Sequence, residues 1–149
     1  MFIAIVVAVL IVALCVAVIF AVRNSQRMNE GRAQIEETIL DNLTMILRTY
    51  DRFPEPKADI GGELLPEISK HLHTAYAQNN TLIDLHGAST SILDNDLYSQ
   101  INEAIDALDR EVKADRIVNA AENALTPYVV RLQQILAERT DAQFAGGMG

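Results

Sequence analysis

Hydrophobic and polar positions divide the chain sharply at residue 23. Residues 1–22, MFIAIVVAVLIVALCVAVIFAV, form an unbroken run of 22 uncharged, apolar side chains. As a helix rising about 1.5 Å per residue, the run covers ~33 Å, against a bilayer hydrocarbon core of about 30 Å. A lone segment in lipid satisfies its backbone hydrogen bonds only as a helix, so the pattern predicts a single transmembrane anchor over 1–22. A cleaved signal peptide would begin with basic residues and carry a shorter apolar stretch. Here no Lys or Arg precedes Arg23, and Leu14 stands where a lipoprotein would have a small residue before Cys15.

Past the anchor the apolar positions take up a helical period. Met28, Ile35, Ile39, Leu43, Ile46 and Tyr50 make one stripe, with Glu36, Glu37, Asp41 and Arg48 on other faces. No breaker stronger than Gly31 intervenes, so the anchor is expected to continue as a rod to about residue 52, roughly 75 Å in all. Pro54, Pro56 and the Gly61–Gly62 pair end it. A second helix is predicted over 63–86, with Pro66 tolerated in its first turn and Gly87 as its stop. Its inward face reads Leu64, Ile68, Leu72, Ala75, Asn79 and Leu82. The ASTS segment (88–91) offers a turn and candidate caps.

A third helix follows over 92–125, carried by Leu97, Ile101, Ile105, Leu108, Val112, Ile117 and Leu125. Pro127 is expected to kink or split it, with Thr126 capping a last helix over 127–140 that holds Val129, Leu132 and Leu136. Residues 143–149 read as a flexible tail. No strand pattern is present. Short connections favour antiparallel neighbours, so the expected fold is all-α: a transmembrane helix continuing into an antiparallel bundle over 23–142.

Charge gives the anchor a direction. Arg23, Arg27 and Arg32 follow the apolar run and nothing basic precedes it. The positive-inside rule then places the N-terminus outside and the C-terminal domain in the cytoplasm, as in a bacterial inner membrane. The anchor also has a small-residue stripe, Ala13, Ala17 and Ala21, with Ala4 and Ala8 on preceding turns. Such spacing lets helices approach closely in lipid. Expected partners are therefore the lipid bilayer and a second copy of the chain or other membrane-protein subunits. Residues 23–149 hold all 12 basic and 20 acidic residues and the whole net charge of −8, which argues against nucleic acid. The single cysteine lies in the anchor, so no intrachain disulfide forms.

Catalytic and metal-binding patterns were sought among the polar residues. His71 and His73 are two apart and point to different helix faces, and Glu67 with His71 has the wrong spacing for a helical di-iron motif. Asp94, Asn95 and Asp96 lack the glycine and distal glutamate of an EF-hand and suit a helix cap better. Ser89, Thr90 and Ser91 have no base beside them. The run Asp106, Asp109, Glu111, Lys113, Asp115 and Arg116 reads as a solvated face with local ion pairs. No enzyme, cofactor or metal site is expected.

Two stretches carry a family resemblance. In RAQIEETILDNLTMILRTY (32–50), Gln34, Ile35 and Glu36, then Ile39, Asn42, Leu43, Leu47 and Tyr50, follow a helical spacing found in LemA proteins. NDLYSQINEAIDALDREVKADR (95–116) is similar to that family's second block. The chain departs from the family at Asp41, where a proline is usual, at Asn119 and Ala120, and in the FPEPKADIGG break (53–62). The resemblance implies a cytoplasm-facing helical bundle on one anchor. The expected function is thus a non-enzymatic membrane scaffold that assembles through its helices, or else an accessory subunit of a larger membrane complex.

Overall fold

A computed structural model describes the backbone of residues 2–55, 57–113 and 119–147. These residues are helical apart from short connections, and no strand occurs among them. The elements are α1 (Phe2–Tyr50), α2 (Leu65–His86), α3 (Asn95–Lys113) and α4 (Asn119–Gly147). The chain divides into two compact units, Met1–Gln34 and Ile35–Gly149.

The first unit takes in α1 as far as Gln34, including the whole apolar run. It contains a helix long and apolar enough to cross a membrane, and the apolar segment is exposed. Fourteen large apolar side chains from Ile3 to Val22 are exposed. Beyond Val22, only Met28, Leu85 and Val130 are exposed large apolar side chains among the described residues.

The second unit has one apolar core. Ile39, Leu43 and Ile46 of α1 enter it as the periodicity predicts, with Ile35 and Tyr50 half-buried at its edge. All six residues expected on the inward face of α2 are buried. From α3 come Leu97, Ile101, Ile105 and Leu108, and from α4 Leu125, Leu132 and Ile135. Val112, Val129 and Leu136 are partly buried.

The connection after α1 does more than break the helix. Phe53, just before Pro54, is 1% exposed and lies 5.3 Å from the Tyr50 ring, so the turn supplies a core side chain. Pro56 lies outside the described residues. A wide π-type turn, Ile60–Leu64, then leads into α2. Asp59 organises it: its side chain accepts from Gly62 N at 2.8 Å, and its carbonyl accepts from Glu63 N and Leu64 N, each at 3.0 Å. This delays the expected start of the helix from Glu63 to Leu65 and still places Pro66 in the first turn. Gly61 backs directly onto α3, since a Cβ there would sit 2.6 Å from Val112 Cγ1. A valine has little χ1 freedom with which to yield. Gly61→Ala is expected to destabilise the bundle by about 1–2 kcal/mol in urea unfolding. Val112→Ala in the same chain should restore much of that loss.

Gly87 closes α2 as expected, with φ 98° and its N–H on Ile83 O at 2.8 Å. The ASTS segment forms a single 3₁₀ turn, Ala88–Thr90. Thr90 does not cap the next helix. Its hydroxyl donates back to Gly87 O at 2.6 Å and Leu82 O at 3.3 Å.

Three boundaries differ from those the sequence suggests. The expected helix does not start at Ile92: α3 begins at Asn95 and is described to Lys113, and α4 is described from Asn119. Ile117, Asp115 and Arg116 lie outside the described residues. Nor does Pro127 split the last helix; it lies inside α4 with its ring exposed. Proline removes one backbone donor but does not force a break where neighbouring packing holds the helix. Thr126 is therefore mid-helix and caps nothing; its hydroxyl meets the Tyr50 hydroxyl at 2.9 Å. Finally, α4 runs to Gly147, so most of the segment read as a tail is helical. Asp141, Ala142, Gln143, Phe144 and Ala145 include no breaker ahead of the Gly146–Gly147 pair.

Candidate functional site

On α1 the polar boundary of the apolar run has its own relief. Val16, Ile19, Phe20, Arg23, Asn24 and Arg27 line a shallow hollow of about 340 Å³ on one face of the helix. The spacing explains the grouping, because residues three, four and seven apart fall on one side. Of the three arginines expected at the membrane boundary, Arg23 and Arg27 are brought together here. Arg32 does not line the hollow. Ala13, Ala17 and Ala21 are exposed on the same helix, as are Ala4 and Ala8. From the sequence the arginines are legible as charge; their union with Phe20 is legible only through the helical period.

Among the described residues, the polar side chains of the bundle are not gathered into one site. His71 Nδ1 and Asn42 Oδ1 hydrogen-bond at 2.8 Å, tying α2 to α1. On the other side of α2, His73 Nδ1 and the Tyr98 hydroxyl hydrogen-bond at 2.7 Å, tying α2 to α3. Glu67 lies 3.7 Å from Arg52, whose guanidinium also reaches Glu63 at 3.1 Å and Glu55 at 3.9 Å. The hydrogen bond that Arg52 donates to Glu63 raises the Arg52 pKa above its ordinary value, reinforced by the charges of the three carboxylates and opposed by desolvation. These contacts are exposed and act as local braces.

Asp94 caps α3, accepting from Leu97 N at 2.7 Å, and Asn95 accepts from the Tyr76 hydroxyl at 3.0 Å. Asp94 fits the capping reading of that acidic segment, whereas Asn95 joins α3 to α2 instead. In the mixed-charge run, Arg110 Nε donates to the Asp106 carbonyl at 3.2 Å. His86 lies in the last turn of α2.

Tyr76 and Tyr98 stack with centroids 3.8 Å apart and planes 8° from parallel. Burial, reinforced by Tyr76, raises the Tyr98 pKa above the ordinary 10.0. The folded protein therefore holds this proton more tightly than the unfolded chain. The corresponding stability is complete below about pH 10 and is lost as pH rises through the folded value. Tyr98→Phe is expected to flatten the fall in stability above pH ~10, read by chemical unfolding across the alkaline range.

Asn79 is the one group in this region that sequence periodicity placed on an apolar face without explaining. It is fully buried. Its Oδ1 accepts from Ile92 N at 2.7 Å and Leu93 N at 3.0 Å. Its Nδ2 donates to Leu93 O at 2.8 Å and Ser91 Oγ at 3.2 Å. One side chain thus substitutes for the hydrogen bonds that the α2–α3 connection cannot make with itself.

Comparison with known protein families, with characterised proteins and with solved structures finds no match to this chain.

Proposed function

We propose that the chain is a non-enzymatic, single-pass membrane scaffold, similar to LemA proteins, which assembles through its helices with further copies of itself. The observation that carries this reading is the apolar surface of α1 from Ile3 to Val22, exposed on every side. In water such a surface is strongly unfavourable, and a bilayer of matching thickness buries it. Arginines on one side of the run favour a cytoplasmic bundle at a bacterial inner membrane.

An antiparallel order is supported by the contacts within the second unit. Asn42 meets His71 while Arg52 meets Glu63. Likewise His73 meets Tyr98 while Asn79 meets Leu93. The alanines at 13, 17 and 21 give a second anchor helix room to approach.

The test is energy transfer between donor- and acceptor-labelled copies in liposomes. Native protein should give transfer well above random encounter, and Ala13→Ile/Ala17→Ile/Ala21→Ile should abolish most of it. Absence of transfer in the native protein would contradict self-assembly. It would favour the second reading, an accessory subunit of a larger membrane complex. That alternative draws on the bundle's closed core, which leaves α1 as the main apolar surface for a partner.

A further inference from the structure

We infer that the hollow formed by Val16, Ile19, Phe20, Arg23, Asn24 and Arg27 is a binding site for one anionic phospholipid. The inference rests on α1 crossing a membrane and adds to it a ligand of defined chemistry. Along this face the lining changes from apolar to cationic in the order that a lipid changes from acyl chain to headgroup. Val16, Ile19 and Phe20 provide a groove for the chain, and Phe20 is 74% exposed with nothing in the protein covering it. Arg23 and Arg27 follow one turn apart, with the Asn24 amide between them.

Guanidinium groups match phosphate oxygens in a forked geometry, and two of them spanning one phosphodiester supply more donors than a single headgroup phosphate needs. Neither Arg23 nor Arg27 forms an ion pair among the described residues. Glu30, the nearest carboxylate beyond them, lies three residues past Arg27 and so bounds the cationic patch on its aqueous side.

Two arginines are too few for general adhesion to an anionic surface, especially on a chain of net charge −8. The site is therefore local, and its selectivity comes from headgroup charge. A zwitterionic headgroup brings its own cation to the phosphate and repels the second arginine; a glycerol headgroup does not. At 3.6 residues per turn Arg23 and Arg27 centre about a third of a turn from Ala17 and Ala21, with Phe20 and Asn24 lying between.

The experiment uses the full chain in nanodiscs of equimolar phosphatidylcholine and phosphatidylglycerol, with retained lipids counted by native mass spectrometry. Retained phosphatidylglycerol should exceed phosphatidylcholine about tenfold, as expected for two basic groups at an anionic headgroup. Arg23→Gln/Arg27→Gln should bring the ratio to about one, while Arg48→Gln, on the exposed side of the bundle, should leave it unchanged. Resistance to alkaline carbonate extraction is scored on the same samples. A native ratio near one, or a ratio the double variant does not change, in protein that resists extraction would overturn the lipid site and leave the anchor intact. Extraction of the native protein by carbonate would overturn the anchor, and the lipid site with it.

Discussion

Replacing Asn79 by leucine should cost the bundle about 3–5 kcal/mol, although leucine is the more apolar residue at a fully buried position. The substitution strips partners from Ile92 N–H, Leu93 N–H and Leu93 C=O together. Each such group left unsatisfied in a buried site costs about 1–3 kcal/mol, and partial relaxation of the connection keeps the total below the simple sum. Against the usual 5–15 kcal/mol for a domain, this is a large fraction. Urea unfolding followed by far-ultraviolet circular dichroism, in mild detergent, measures it. Ser91→Ala is the control, since it removes one 3.2 Å bond at a half-buried hydroxyl. Its expected loss is about 1 kcal/mol or less.

The second large effect concerns the anchor. Leu10→Asp with Leu14→Asp places two carboxylates near the middle of the apolar run. Each costs about 2.5–3.5 kcal/mol on insertion scales, enough together to move most of the protein out of the membrane fraction. Carbonate extraction and sedimentation read the change. The unfolding midpoint of the bundle should stay where it was, because its apolar core starts at Ile39. A variant that stays fully membrane-embedded would argue that the run is held by something other than lipid insertion.

How much of this was legible in the sequence differs from element to element. The inward face of α2 was readable from Ile68 to Leu82, with Leu65 missed at its start, because a helix with one buried side writes its contacts at 3.6-residue spacing. Asn79 fell on that face, but its role was hidden: its partners are backbone groups on a connection that carries no periodic signal. Phe53, Ile60, Ile92 and Leu93 escaped for the same reason, being core residues outside regular helix. Pro127 suggested a break where α4 continues. Local punctuation is a preference of a few kcal/mol at most, and packing of Leu125 and Leu132 into the common core outweighs it. The arginine hollow was half-readable: the charges were evident, their shared face with Phe20 less so.

The central claim is an anchor that both holds the bundle at a membrane and helps it assemble. Its most direct test is the mass of the intact protein in mild detergent, compared with a chain beginning at Arg23. The account predicts a homo-oligomer for the intact protein and a folded monomer for the shortened one. An intact protein that is monomeric, or that travels as a single copy among other polypeptides, would contradict it.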